Sequence, residues 1–228
     1  KIELQRDLRV AISEYAPDGE VVAAKHIWTG GGLYRMPGRD WRTFHYAVCP
    51  QCGRFHRSPA PLENQCNVCG ANLFGWPRRY GQFLIPEFGF LAGRDAPAVG
   101  ERRPQRLYAS RIYFSDYAPA PDEEVPPLMP VNELSGDAVE VAQRYSRYGK
   151  LALVNGGYMN AGFRVCTWCG WSEPAPQVAV GRRSRREQAH VNQRTGQPCS
   201  GPLETYHLGH EFITDVLELR FAGPLAQP

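Results

Sequence analysis

The spacing of its cysteines constrains this chain more than any other feature. Cys49 and Cys52 form one Cys-x-x-Cys pair, and Cys66 and Cys69 form another thirteen residues later. A glycine follows each pair, Gly53 and Gly70. Such a turn lets two sulfurs reach one ion, and glycine takes the φ > 0 conformation that the turn needs. Two such knuckles joined by a short hairpin predict a tetrahedral thiolate site, a zinc ribbon over 49–69. All four positions are filled by protein, so the metal is expected to be structural, not catalytic. The competing chemistries fit less well. A disulfide framework belongs to an oxidising compartment, and no secretory signal is visible. A thioredoxin-like motif would be single. An iron–sulfur cluster is the remaining four-thiolate alternative.

The other three of the seven cysteines are Cys166, Cys169 and Cys199. A closed site lacks one ligand. Twenty residues separate Cys169 from His190, and eight separate His190 from Cys199. The pattern Cys-x2-Cys-x20-His-x8-Cys gives three thiolates and an imidazole. His207 competes by its distance from Cys199, and His190 is preferred. Seven cysteines and one histidine then make two complete sets, and the expected cofactor is two structural zinc ions per chain.

Around these clusters the 228-residue chain reads as α+β: a strand-rich mixed sheet with two zinc-clamped knobs. Its 20 prolines and 23 glycines argue against a long helical architecture. Alternation predicts strands over 7–15, 20–28, 42–48, 104–114, 150–155 and 211–221. In the last, Ile213, Leu217, Leu219 and Phe221 share a face, with Asp215 among them. The glycines Gly30–Gly32 lack a P-loop ending and are expected to form a turn. The segment 135–149 is the one helix expected, from Val139, Ala142 and Tyr145 at helical spacing and Gly149 as a stop. A proline-rich linker over 118–130 divides a strand-rich subdomain, 1–117, from a second zinc-binding domain, 131–228. The chain begins at Lys1 and ends in AGPLAQP, and both ends are expected to be cuts from something longer.

A formal net charge of +3 does not by itself point to nucleic acid. Two local arrangements do. Arg182, Arg183, Arg185 and Arg186 cluster between the second knuckle and His190. Arg78 and Arg79 are interleaved with Trp76 and Tyr80 directly after the ribbon. These six arginines are the candidate nucleic-acid contacts; the alternatives are a solvated loop for the first group and core packing of the aromatics for the second. No catalytic residues are expected: neither a phosphate loop nor a nucleophile elbow is present. A metallohydrolase built on His207, His210 and Asp215 is a third, weaker reading. No apolar run is long enough to span a membrane, and a cytoplasmic location is expected.

Several stretches together resemble one family. LQRDLRVAISEYAPDGEVVAAKHIWTGGGL resembles the segment entering the C-terminal region of large bacterial DEAD/DEAH-box superfamily-2 helicases. LVNGGYMNAGFRVCTWCG, GQPCSG and LGHEFITDVLELRF are similar to the zinc-binding (MZB) domain at their ends. That domain is shared with Mrf-type DNA-repair helicases and the DrmB component of DISARM phage defence. The resemblance implies an accessory region of an ATP-dependent DNA helicase, or of a helicase-associated repair or phage-defence complex. DNA and the helicase motor domains would be its partners, and ATP would be bound and hydrolysed in those motors. It also implies Cys166, Cys169 and Cys199 as zinc thiolates. His190 departs from the four-cysteine site of Mrf-type helicases. The alternative is a docking module that never touches nucleic acid.

Overall fold

The computed structural model describes residues 3–76, 79–100, 103–105, 108–132, 139–176 and 189–222. Strands dominate it, in accord with the α+β reading. The chain forms two compact units, each assembled from separate stretches. Unit 1 comprises Lys1–Tyr113 and Leu153–His210, and unit 2 comprises Phe114–Ala152 and Glu211–Pro228.

Unit 1 opens with helix α1 (Leu8–Glu14), where alternation predicts a strand. The Asp7 carboxylate caps it by accepting from the Arg9 N–H at 2.9 Å. Only Ala11 and Ile12 face the core, so a seven-residue stretch of mixed pattern is decided by its cap. Asn155, fully buried, donates from Nδ2 to the Ile12 carbonyl at 2.7 Å and fixes the helix end. Strands β1 (Glu20–Ala23) and β2 (His26–Leu33) follow as a hairpin. The expected single strand over 20–28 breaks at Ala24 and Lys25, both at positive φ.

Gly30–Gly32 are not a turn. They lie within β2 and pair with β6 (Phe90–Ala92) across a bulge. A Cβ at Gly30 would stand 2.3 Å from the Ala16 carbonyl oxygen. One at Gly31 would stand 2.8 Å from the Gly93 nitrogen, and one at Gly32 2.5 Å from the Gly170 carbonyl oxygen. Three neighbouring backbones press on one strand, and only glycine leaves room for them.

The main sheet of unit 1 uses β3 (Thr43–Val48), β4 (Phe55–Ser58), β5 (Tyr80–Leu84), β10 (Phe163–Cys166), β11 (Ser172–Pro174) and the first half of β14 (Leu203–Ala222). Their order is β11-β10-β14-β5-β3-β4. β14 runs parallel to β5, with His207 beside Phe83, and antiparallel to β10. Ile12, Leu33, Val48, Phe83, Leu84, Phe163, Val165 and Leu208 are fully buried and form its core. Two further short strands, β12 (His190–Val191) and β13 (Pro198–Cys199), pair with each other.

Unit 2 contains most of β7 (Arg111–Tyr117), β8 (Met129–Pro130), most of β9 (Glu140–Asn155) and the second half of β14. The helix expected over 135–149 is replaced by β9 from Glu140 onward; residues 133–138 lie outside the described residues. Ser146 is buried there while Tyr145 and Arg147 are exposed, a period of two rather than 3.6. Pairing with β7, β8 and β14 overrides the helical spacing of three residues.

Along the second half of β14 the expected alternation is present, but the packed face is the opposite one. Ile213, Leu217, Leu219 and Phe221 are 43–60% exposed. The even positions from 212 to 218 are half-buried, whereas Arg220 and Ala222 are exposed. Val216 lies over Gly149, where a Cβ would meet its methyl at 2.2 Å. The Glu218 carboxylate accepts from the Tyr117 hydroxyl at 2.5 Å and forms an ion pair with Arg144 at 3.2 Å. The Arg144 guanidinium also lies 4.9 Å from the Tyr117 ring centre. Burial opposes ionisation of Glu218, but these donors and Arg220 prevail and lower its pKa.

Two outcomes follow. Gly32→Ala forces a Cβ against a backbone carbonyl that cannot swing away, so it should cost about 1–3 kcal/mol in urea unfolding. Because the Glu218 pKa is depressed on folding, its stabilisation is present above the unfolded value of 4.5 and is lost as pH falls through the native value. Glu218→Gln should therefore flatten the acid limb of stability against pH, measured by urea unfolding across that range.

Candidate metal centres

Cys49 ends the strand path from β3, and Cys52 and Gly53 close the turn into β4. The Cys49 N–H donates to the Arg54 carbonyl at 2.9 Å and the Gly53 N–H to the Cys49 carbonyl at 3.0 Å. The second pair repeats this, with Cys66 to Ala71 at 2.8 Å and Gly70 to Cys66 at 2.8 Å. So does the third, with Cys166 to Trp171 at 2.8 Å and Gly170 to Cys166 at 3.0 Å. Gly53, Gly70 and Gly170 sit at φ of 70°, 75° and 79°. Three separate Cys-x-x-Cys-Gly stretches thus fold into one local shape, because the left-handed glycine lets the chain reverse beneath the sulfurs.

The second half of the other set is built differently. His190 and Cys199 are direct cross-strand partners in the β12–β13 ladder. Val191 and Pro198 extend the ladder, and residues 192–197 form the hairpin loop, closed by Asn192 N–H to the Gln197 carbonyl at 3.0 Å and by Gly196 N–H to the Asn192 carbonyl at 2.8 Å. Cross-strand pairing places imidazole and sulfur side by side, which explains the loose spacing.

Each set gathers its four donor atoms within 4.8 Å of one another: Cys49, Cys52, Cys66, Cys69 in one and Cys166, Cys169, His190, Cys199 in the other. Each can hold a metal ion. His190 is buried, with Nε2 3.2 Å from the Cys169 sulfur. Trp171 stacks on its ring at 4.8 Å and fixes the imidazole plane. His207 is elsewhere. Its Nδ1 shares a 2.5 Å hydrogen bond with the Tyr46 hydroxyl, whose pKa burial raises. His207 is a core residue wedged against Gly81 and Gly162. His207, His210 and Asp215 are not among the sets that could share an ion in the described residues.

The sulfurs are prepared for a cation. Backbone N–H groups of Cys52, Val68, Cys169, Trp171 and Gly201 point at sulfurs at 3.4–3.5 Å. Burial opposes ionisation of Cys49, yet the N–H groups of Cys52 and Gln51 bring it to about 7. Burial pushes its neighbour Cys52 up to about 12. In the second set Cys166 is held at about 4, chiefly by the hydrogen bond from the Cys169 thiol, whose own pKa rises in consequence. Within each Cys-x-x-Cys pair the first thiol is made more acidic and the second less so, and a bound divalent ion would displace the remaining protons. Four thiolates, or three with an imidazole, suit zinc, with no position left for water.

One neighbour was not singled out from sequence. His56, on β4, places Nε2 3.3 Å from the Cys66 sulfur. Its position directly after the knuckle, on the strand returning to it, is the only signal. The ribbon's own core is small: Ala47 and Leu73 beside Cys49 and Cys66, with Leu62, Ala71, Phe74 and Tyr80 around them. An ion there replaces apolar burial that so short a hairpin cannot supply.

The candidate arginines fall differently. Arg78, Arg182, Arg183, Arg185 and Arg186 lie outside the described residues. Arg79 is half-buried, and its carbonyl accepts from the Val48 N–H at 2.8 Å. The expected flanking aromatics separate. Trp76 is 89% exposed, whereas Tyr80 packs edge-on against Phe74 at 5.0 Å. No helix among the described residues is long and apolar enough to cross a membrane.

The chain is similar to Druantia protein DruE from Escherichia coli (strain UMEA 4076-1), with 25% identity over 235 residues. The match covers 95% of this chain and 12% of that protein, so the chain spans only a small part of the relative's length. No family model matches, and no solved structure matches.

Metal analysis of the purified chain should give two zinc ions. His190→Ala and Cys199→Ser should each remove one. His207→Ala should keep both and instead lower stability by about 2 kcal/mol, through a lost buried hydrogen bond and packing.

Proposed function

We propose that this chain is a zinc-clamped accessory region of a larger bacterial defence protein that works on DNA. Its role is to hold an assembly in shape and contact the nucleic acid, while ATP hydrolysis belongs to motor domains elsewhere. The observation that carries this reading is the closure of both donor sets. Every position is taken by a protein side chain, leaving no open coordination site for a substrate or a nucleophilic water.

Three further features support it. The similarity to Druantia protein DruE runs through nearly the whole chain yet covers only 12% of that protein, as an internal region of a large machine would. The resemblance of the first thirty residues and the last cysteine segments to helicase C-terminal regions points the same way. The exposed apolar row of Ile213, Leu217, Leu219 and Phe221 suits docking to neighbouring domains.

The reading is tested in cells carrying the parent defence system. Cys49→Ser or Cys166→Ser should abolish protection in phage plating, together with loss of one zinc from the purified chain. Full protection by a variant that lacks both ions would refute it.

A further inference from the structure

We propose that Arg39, Arg94 and Arg194 form a phosphate-binding surface for nucleic acid, set beside the second metal centre. This rests on the reading of the chain as part of a DNA-handling protein, and it names the surface that does the handling.

Arg194 lies in the loop between β12 and β13, the hairpin that supplies His190 and Cys199. The loop is fixed from within. The Asn192 side-chain oxygen accepts from the N–H groups of Arg194 at 2.9 Å and Thr195 at 3.3 Å. The Arg194 guanidinium then lies 4.7 Å from the centre of the Tyr34 ring. Two residues on, Gly196 has φ +74°, and a Cβ there would stand 2.5 Å from an Arg94 guanidinium nitrogen. Arg94 is therefore laid against the same loop. The Tyr34 backbone N–H donates to the Gly89 carbonyl at 2.9 Å. That fixes the adjoining Phe88, whose ring has the Arg39 guanidinium 5.1 Å from its centre. Continuous contacts thus join the three arginines through Tyr34, Gly89 and Gly196.

All three are exposed. Two of the three nearby acids are already paired, and Asp95 has no ion pair among the described residues. Asp40 pairs with Arg35 at 2.7 Å and Glu87 with Arg42 at 3.2 Å, and Asp95 follows Arg94 in sequence. Among the described residues no ion pair joins a carboxylate to Arg39, Arg94 or Arg194. The Arg39 and Arg194 guanidinium carbons lie over aromatic rings, and although Arg39 Nη1 also meets the Met36 sulfur at 4.0 Å, both arginines keep N–H groups for an anion. The aromatic rings are half-buried and act as supports, so the contact is to backbone phosphates and independent of sequence. Nucleic acid fits better than an acidic protein segment because of Trp168. This indole, 60% exposed on the knuckle of the same metal centre, offers a face to an unstacked base.

The test is fluorescence anisotropy of the zinc-loaded chain with a labelled single-stranded oligo-dT and with a mixed-sequence duplex, over a salt series. The triple variant Arg39→Glu, Arg94→Glu, Arg194→Glu should keep both zinc ions and its unfolding midpoint. It should bind oligo-dT about tenfold or more weakly, with a log K against log salt slope reduced by about 2, from three phosphate contacts at about 0.7 each. Parent-like affinity and slope in the triple variant would overturn the surface and leave DNA binding by the chain intact. A parent chain with no affinity for either oligonucleotide would overturn the surface and the DNA-contacting role together, without touching the zinc and plating results. Polyglutamate competing as well as DNA at equal charge would assign the patch to acidic proteins and overturn the proposal.

Discussion

Unit 1 depends on a backbone-to-backbone approach between two glycines far apart in sequence. The Leu33 N–H donates to the Gly170 carbonyl at 2.7 Å, and that carbonyl oxygen would lie 2.5 Å from any Cβ at Gly32. A Cβ at Gly170 would in turn stand 2.0 Å from the Leu33 carbonyl oxygen. This contact fastens the second metal knuckle to β2. Gly30 and Gly31 fasten the same strand to the turn after α1 and to the end of β6. The glycine run and the metal motif, separate as sequence features, are two sides of one joint.

The metal centres follow from the same economy of space. Each knuckle is a tight reversal with a left-handed glycine and an inward row of backbone N–H groups. Such a turn buries little apolar surface, so an ion and its ligands do the work of a core. The knuckles also act as mounts. One carries Trp168, and the hairpin opposite carries Arg194, so clamping the ion stiffens the elements from which these side chains project.

The cysteine motifs were legible because metal geometry is local: a pair, its glycine and the strand after it are neighbours in the chain. His190 was legible for a related reason, since a short hairpin brings it to Cys199. The short elements were less so. Residues 7–15 alternate, yet the Asp7 cap and the buried pair Ala11–Ile12 make them a helix. Residues 139–149 show helical spacing, yet three strand partners make them a strand. In both, a pattern a few residues long was weaker than what the rest of the fold offered those backbone groups.

By itself, then, the sequence determined the donor sets, the strand-rich class and the alternation of β14. Those properties rest on spacing and period, which local geometry converts directly into structure. Tertiary structure alone decided which face of β14 is covered, because Glu218 meets Tyr117 and Arg144 on that face, contacts that alternation cannot weigh. It decided that Gly30–Gly32 form a strand, because that requires three backbones to arrive from elsewhere. It also linked Arg39, Arg94 and Arg194, scattered singly along the chain, through their contacts with Phe88, Gly196 and Tyr34, since contacts between remote segments leave no spacing to read.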